Sequence, residues 1–186
     1  MSSILASAMA TPGKRTESRR GTIALGVLVA VIALLAVGRY VVAEPFGIPS
    51  ASMAPTLRQG DSVLVDKLAY RGHRVPGRGD LIVFHAPRTG ELTLKRVVAT
   101  AGQTVGIEDG RLVVDGHRPT EPYTDPDAID SVYFGPVRVP AGAVFVLGDN
   151  RANSVDSRSF GSVPDRDVVG RVRARIWPPD RWGTPR

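Results

Sequence analysis

The 186-residue sequence contains no cysteine and only three histidines. The absence of cysteine excludes disulfide bonds, thiol nucleophiles and cysteine zinc sites. The histidines, His73, His85 and His117, are dispersed, and none has the spacing of a metal-ligand pair or lies in a catalytic motif. The sequence therefore predicts no metal site, and it does not favour a Ser-His-Asp triad.

The sequence also lacks a concentrated run of basic residues in its main body. The net charge is +6, but residues 1–43 hold five basic residues and one acidic residue, which account for +4 of it. Residues 44–186 are nearly balanced and contain few aromatic residues. Because nucleic-acid-binding domains cluster Lys and Arg on one face, we expect no nucleic-acid partner.

Long hydrophobic runs are scarce too, and only one occurs. Eighteen consecutive residues, 21–38, carry no charge, and the apolar character continues to residue 43 past Arg39. About 20 apolar residues cross a bilayer as a helix, so residues 21–43 are predicted to form a transmembrane anchor. A cleaved signal peptide is the main alternative, because Val41-Val42-Ala43 offers small residues for cleavage.

The residues on either side of this run predict its orientation. Residues 1–20 are polar and basic and are interpreted as a flexible leader. By the positive-inside rule the leader lies in the cytoplasm, which puts residues 44–186 outside the cell membrane after a single pass.

The body of the sequence shows the pattern of β structure. Residues 44–186 contain short β-branched runs bounded by Gly, Pro or Asp, and only Lys67 to Arg71 indicates a helical turn. This pattern predicts an all-β domain of mainly antiparallel strands, a sandwich or barrel. Residues 117–136, rich in Pro, Asp and Tyr, are predicted to form an exposed loop. The predicted strands are 62–66, 81–84, 92–98, 104–107, 112–114, 137–139, 144–147 and 168–176.

A short segment after the apolar run contains two serines framed by prolines. Pro49 and Pro55 restrict the backbone around Ser50 and Ser52, so Ile48 to Pro55 is predicted to be a stiff, non-helical strip. Such a strip can hold a serine nucleophile in one orientation, but the nucleophile also needs a base.

Lysine is the candidate base, and the chain has only three lysines. A lysine acts as a base only when burial lowers its pKa from about 10.4. Lys14 lies in the leader and Lys67 in a turn-like stretch, whereas Lys95 lies in a predicted strand, with Arg96 on the opposite face. Composition alone favours an edge-strand lysine that prevents aggregation, so the assignment of Lys95 depends on other segments.

One of these segments is a polar loop, residues 148–161, which follows the apolar run 144–147. It is rich in side-chain amides, hydroxyls and Asp/Arg pairs, which can fix the positions of neighbouring groups by hydrogen bonds and ion pairs. Taken alone, its composition is typical of a polar surface loop.

Together these segments resemble the type I signal peptidases, membrane-anchored Ser-Lys endopeptidases that remove signal peptides from exported proteins. The resemblance covers nearly all of residues 39–176. It rests on five segments in chain order, which are Pro49-Ser-Ala-Ser-Met-Ala-Pro-Thr-Leu57, Gly60-Asp-Ser-Val-Leu-Val65, Lys95-Arg96, Gly148-Asp-Asn-Arg151 and Asn153-Ser-Val-Asp-Ser-Arg158.

The resemblance implies a role for each matching residue. Ser52 would be the nucleophile and Lys95 the base, with Ser50 Oγ and the Ser52 backbone N–H as the oxyanion hole. Ser154 would orient Lys95 through a hydrogen bond. Two ion pairs would support the site, Arg96 with Asp149 and Asp156 with Arg158. Shallow pockets for small side chains at positions −1 and −3, as in Ala-x-Ala, would be lined by Phe46, Ile48, Met53, Leu57 and Leu94.

The resemblance also sets the expected type and partners. Lys95 stands where endoplasmic-reticulum members have histidine, which implies the bacterial or organellar type. Residues 101–142 are too few for the extra β domain of some Gram-negative members. The sequence also has one predicted transmembrane span where those members have two, which resembles the compact Gram-positive form. The implied partners are signal-peptide-bearing pre-proteins and the lipid bilayer. The enzyme would work as a monomer near the export machinery and without a cofactor.

Two other functions fit parts of the sequence. A conjugation- or repressor-type Ser-Lys peptidase would cut itself or a single partner, but the membrane span and the complete polar loop speak against it. A non-enzymatic, anchored β domain would bind proteins at the outer surface, and it would leave the four motif residues Ser50, Ser52, Lys95 and Ser154 as coincidence.

Overall fold

The computed structural model describes residues 23–32, 38, 42–125 and 133–185. The chain separates into two compact units, Met1–Tyr40 and Val41–Arg186. In the first unit, residues 23–32 are helical. No helix within the described residues is both long enough and apolar enough to cross a membrane. The predicted leader lies outside the described residues, as do positions 21, 22, 33–37 and 39–41 of the predicted anchor.

The second unit is built from two antiparallel sheets. The larger has the strand order β1-β2-β10-β3-β4-β8-β9, and the smaller has the order β6-β5-β7. One short helix, α1 (Ser157–Phe160), precedes β9. The strands are β1 (Ala43–Gly47), β2 (Ser62–Asp66), β3 (Leu81–His85), β4 (Leu92–Thr100), β5 (Thr104–Glu108), β6 (Arg111–Val114), β7 (Phe134–Arg138), β8 (Ala143–Leu147), β9 (Val163–Pro164) and β10 (Val168–Trp177).

The predicted all-β fold of mainly antiparallel strands is confirmed. All eight predicted strands are present with small changes at their ends, because their β-branched runs are also the buried ones. Two strands were not predicted, β1 and the two-residue β9. Both contain proline, which has no backbone N–H to donate to a neighbouring strand. A proline therefore argues against a strand in the sequence pattern, although edge strands tolerate it. Where a helical turn is predicted, at Lys67 to Arg71, residues 67–70 form a hydrogen-bonded turn, in which Arg71 N donates to Leu68 O at 3.2 Å, and it does not extend into a helix.

Three apolar clusters hold the unit together. The first lies between the two sheets and joins β4 and β8 to β5 and β6. The other two lie on opposite faces of the larger sheet, because side chains alternate along a strand. In β3, for example, Leu81 and Val83 enter the second cluster, whereas Ile82 and Phe84 enter the third.

The second cluster also fixes the serine segment. Met53 and Leu57, which are 1% and 0% exposed, pack into it beside Leu94 of β4. Burial of each such side chain stabilises the fold by about 1.5–3 kcal/mol. The backbone between β1 and β2 is therefore held against the sheet on both sides of Pro55.

Candidate active site

Ser52 lies in a series of tight turns between β1 and β2. Ala54 N donates to Ala51 O at 3.0 Å, and Leu57 N donates to Met53 O at 2.8 Å. The segment is non-helical, as predicted, but it is turned and not extended, because these local hydrogen bonds outweigh the bias of its prolines. Ser52 itself is 9% exposed, so its hydroxyl is held at the edge of the buried region.

Lys95 reaches this hydroxyl from the larger sheet. It lies in β4 opposite Ile82 of β3 and is 4% exposed. Its Nζ lies 2.7 Å from Ser52 Oγ, within a buried hydrogen bond. Burial lowers the pKa of Lys95 below its ordinary 10.5, while the charges of Asp156 and Asp149 act in the opposite direction. The two residues therefore have the distance and the environment of a nucleophile and its base.

Ser50 lies on the solvent side of the same hydroxyl. It is exposed, and its Oγ donates to Ser52 Oγ at 3.2 Å. A donor in this position can stabilise negative charge that develops on an atom bonded to Ser52 Oγ. The resemblance to the type I signal peptidases implies that Ser50 Oγ forms one half of an oxyanion hole.

The two predicted ion pairs are both formed. Arg96 makes a two-pronged contact with Asp149, with Nε–Oδ1 and Nη2–Oδ2 distances of 2.8 Å. Asp156 pairs with Arg158 at 2.9 Å and also accepts from Gly148 N at 3.1 Å. The carboxylates are 1% and 0% exposed, and buried charges of this kind require such paired and hydrogen-bonded surroundings.

Ser154 does not make the hydrogen bond expected of it. Its Oγ is buried and has no hydrogen-bond partner among the described residues. It lies beside the backbone of Gly148, where a Cβ atom would stand 2.6 Å from Ser52 O and still nearer to Ser154 Oγ. The structure thus brings Ser154 next to the Ser52 backbone, and no hydrogen bond joins its Oγ to Lys95 Nζ.

The five predicted pocket residues belong to the second apolar cluster. Leu57 and Met53 are buried completely or almost so and lie beneath the surface, whereas Ile48 and Leu94 are each 5% exposed. Phe46 of β1 is half-buried and packs against the cluster. Phe46 is thus the most exposed of the five, and the other four are buried.

Two residues at the site were missed by the sequence interpretation. Asn150 holds the backbone of the nucleophile segment by two hydrogen bonds. Its backbone N donates to Ser52 O at 3.1 Å, and its side-chain Nδ2 donates to Ala51 O at 3.2 Å. Thr56 Oγ1 donates to Asp149 Oδ2 at 2.5 Å. An amide inside the polar loop was the available signal for Asn150, but its partner about 100 residues away could not be read from the pattern.

Metal ligands do not converge anywhere in the part of the chain that the structure describes. No group of three or more His, Asp or Glu side chains there could hold a metal ion. The chemistry that the described site offers is that of a serine hydroxyl, a desolvated amine and nearby hydrogen-bond donors. This set is suited to acyl transfer.

Comparison with known proteins agrees with this chemistry. Residues 20–177 match the family described as signal peptidase, peptidase S26. A probable signal peptidase I-1 of Synechocystis is 44% identical over 162 residues, covering 82% of this chain and 80% of the relative. A signal peptidase I of Mycobacterium tuberculosis is 37% identical over 219 residues, covering 84% of this chain and 74% of the relative. A crystal structure of a signal peptidase I from Enterococcus faecalis V583 has 34% identity and a TM-score of 0.46, covering 52% of this chain and 95% of that one. The family match and the identity to relatives that are covered over 74–80% of their length show that this chain belongs to the signal peptidases of peptidase family S26, and within them to the signal peptidase I enzymes.

Proposed function

We propose that this enzyme is a membrane-anchored endopeptidase that removes signal peptides from exported pre-proteins by Ser-Lys catalysis, cleaving after a small residue. The observation that carries the proposal is the 2.7 Å contact between Lys95 Nζ and Ser52 Oγ in a buried setting. At this distance a neutral amine can accept the hydroxyl proton directly. The named relatives are signal peptidases, which supports the choice of substrate.

In acylation, Lys95 Nζ takes the proton of Ser52 Oγ as the oxygen attacks the carbonyl carbon of the scissile peptide bond. The carbonyl π electrons move onto the oxygen, which Ser50 Oγ–H and the Ser52 backbone N–H stabilise. When the carbon–nitrogen bond breaks, the leaving amine takes the proton from Lys95. The products are an ester on Ser52 and the free N terminus of the mature protein.

Deacylation uses the same groups in the same order. Lys95 is neutral again, and it takes a proton from a water molecule that attacks the ester carbon. The bond to Ser52 Oγ then breaks, and this oxygen recovers a proton from Lys95. The signal peptide leaves with a new carboxylate, and the cycle needs no cofactor.

Specificity for small residues would come from pockets that leave no room for larger side chains. Phe46, Ile48 and Leu94, which are more exposed than Met53 and Leu57, would present the accessible edge of the second apolar cluster to the substrate. A shallow apolar surface gives little binding energy for alanine but rejects bulky side chains by steric overlap. Met53 and Leu57 support this surface from below.

Ser154 is proposed to orient Lys95 during the reaction. Its buried Oγ lacks a partner in the described structure, and a buried hydroxyl without a hydrogen bond costs about 1–3 kcal/mol. The proposed role requires a change of its side-chain rotamer that lets this hydroxyl form a hydrogen bond with the lysine amine.

The anchor is proposed to be residues 21–43, with residues 44–186 outside the cell membrane. The support is the uncharged run and the basic leader before it. The helical residues 23–32 are exposed, and among them Ile23, Leu25 and Val27 are 59–65% exposed. Apolar surface of this kind is suited to lipid. The enzyme would act as a monomer near the export machinery, where signal peptides emerge.

The test is cleavage of a pre-protein by the full chain in detergent micelles. Ser52→Ala and Lys95→Ala should each reduce kcat by about 10³-fold or more, because both groups act in one step. Lys67→Ala is the matched control, since this lysine of the same domain makes an exposed ion pair with Glu44, and it should stay within about twofold of the wild-type rate. Full processing by folded Lys95→Ala would show that another group is the base.

A further inference from the structure

The loop after β6 reaches the active-site scaffold, although it was predicted to be exposed. Glu121 has a side chain that is only 10% exposed, and it pairs with Arg151, whose side chain is 4% exposed. Two parallel hydrogen bonds join them, Arg151 Nη1 to Glu121 Oε2 at 2.8 Å and Nη2 to Oε1 at 2.5 Å. The exposed-loop prediction is therefore wrong for this part of the segment, because a buried arginine in the polar loop needs a partner.

Tyr123, two residues further on, contacts the other end of the scaffold. The Arg96 guanidinium carbon lies 3.9 Å from the centroid of the Tyr123 ring, a cation–π contact. The phenol OH donates to Glu121 Oε1 at 3.0 Å. One short segment thus holds two arginines at once.

Through the two arginines, these contacts reach the turn formed by residues 148–151. Arg151 Nε donates to Gly148 O at 3.0 Å, and Arg96 forms its two-pronged pair with Asp149. Both ends of the turn are therefore held through Glu121 and Tyr123. Between these ends lies Asn150, whose two hydrogen bonds hold the backbone at Ala51 and Ser52.

We propose that Glu121 and Tyr123 are positioning residues for the Ser52 nucleophile, acting through Arg151 and Arg96 on the turn that holds it. This inference rests on the proposed Ser-Lys mechanism. Among the described contacts, neither side chain forms a hydrogen bond or an ion pair with Ser52 or Lys95. Their effect is therefore on the geometry of attack and on the charge near the base. A displacement of about 1 Å in such a geometry can cost about 10²-fold in rate.

The charge effect gives a readout that a purely structural role would not produce. The acidic groups that act on Lys95 are Asp149 and Asp156, and each is paired with an arginine, Arg96 and Arg158. If Arg96 loses its ring contact and moves from Asp149, the carboxylate attracts the lysine ammonium more strongly. The pKa of Lys95 then rises, and the acid limb of the activity profile moves to higher pH.

The experiment compares Tyr123→Leu with Tyr123→Phe in the full chain, using pre-protein cleavage to measure kcat, KM and the pH profile of kcat/KM. Leucine removes the ring, and we expect kcat to fall about 10- to 100-fold with KM within about twofold, together with the shift of the acid limb. Phenylalanine keeps the ring beneath Arg96 and should restore most of kcat and the wild-type limb.

Glu121→Gln is the second arm, with Glu108→Gln as its matched control. Glutamine keeps the shape but removes the charge opposite Arg151, so kcat should fall about 10-fold. Glu108 forms an exposed 3.4 Å pair with Arg118 in the smaller sheet, and its variant should behave as wild type. All variants are assayed well below their melting temperatures, with near-ultraviolet circular dichroism to show the folded state.

Three results would overturn the inference. These are an unchanged kcat in folded Tyr123→Leu or Glu121→Gln, a loss that phenylalanine does not restore, and a loss confined to KM with the acid limb in place. If Tyr123→Leu does not fold, Glu121→Gln decides, since an unchanged kcat in this folded variant contradicts the proposal and a fall of about 10-fold supports it. Absence of cleavage by the wild type and Glu108→Gln would instead reject the proposed function itself.

Discussion

In the proposed mechanism, the reactivity of the enzyme depends on the burial of a single lysine, Lys95. Lys95 is 4% exposed, whereas Lys67 forms an ion pair with Glu44 at the surface. Burial disfavours the charged form of an amine, and a neutral amine is what a general base requires. The same side chain near the surface would stay protonated at neutral pH and could not accept the serine proton.

The pH dependence follows from this burial. Below its pKa Lys95 is an ammonium and cannot act as a base, so kcat/KM should rise with pH as the amine loses its proton. Because burial lowers this pKa, the midpoint of the rise should lie below 10.5. The measurement is kcat/KM between pH 5 and pH 11 with a peptide substrate that has no titrating side chain.

The control for this measurement is Lys67→Ala, which should keep the same midpoint because it does not face Ser52. A midpoint at or above the ordinary lysine value would contradict a desolvated base. A rate that falls with rising pH across the whole range would point to a catalytic acid in place of a base.

At the scale of elements, the site depends on close contacts between strands that are distant in sequence. β10 pairs with β2 on one side and with β3 on the other, and so it joins the support of the serine segment to the support of Lys95. Gly170 of β10 lies against the backbone of β2. A Cβ atom there would stand 2.5 Å from Asp66 O and 2.8 Å from Val65 Cγ1.

We expect Gly170→Ala to destabilise the domain by forcing β10 and β2 apart. Overpacking of this kind costs about 1–3 kcal/mol, which corresponds to a fall in Tm of roughly 3–10 °C for a domain of this size. Gly47→Ala in β1 is the control, because a Cβ atom there would meet no heavy atom within 4 Å. Equal melting temperatures for the two variants in a thermal melt would show that β10 can move without cost.

The strands themselves could be predicted from sequence, but their neighbours could not. The runs that became β2 and β10 are β-branched and bounded by turn residues, which is a local signal. Their pairing, Arg171 opposite Asp66 for example, depends on packing across more than 100 residues and leaves no local trace. The irregular register between Val172 and Ala174 is equally invisible in the pattern.

The site residues divide in the same way into those with a local sequence signal and those that depend on long-range contacts. Ser52 and Lys95 could be named because each belongs to a recognisable segment and the chain has few lysines. Glu121 and Tyr123 could not be named, since a loop rich in Pro, Asp and Tyr looks exposed until the arginines that it covers are located. The expected bond from Ser154 to Lys95 was assigned by resemblance, and the structure leaves that hydroxyl without a partner.

At the scale of the whole molecule, the proposed anchor determines where the active site can work. The full chain should stay in the membrane pellet after an alkaline carbonate wash, because about 20 apolar residues hold a helix in lipid. Protease added to spheroplasts should digest residues 44–186 and spare an epitope tag on the leader. N-terminal sequencing of the extracted protein should find the leader intact.

The double variant Val29→Arg, Ile32→Arg tests the same span. Each charge near the centre of a span costs about 2.5–3.5 kcal/mol on insertion scales, so the protein should appear in the soluble wash. Val29→Leu is the matched control and should remain in the pellet. A mature N terminus at Glu44 in the wild type would show that the run is a cleaved signal peptide and not an anchor.

The two hydrogen bonds from Asn150 to the nucleophile segment affect which residues position 51 can accept. Both of its hydrogen bonds end on main-chain carbonyl oxygens, at Ala51 and Ser52, which every amino acid possesses. Replacement of the half-buried Ala51 by another small residue therefore leaves both bonds in place. Over evolutionary time the side chain at this position can change while the turn that positions Ser52, the proposed nucleophile, keeps its shape.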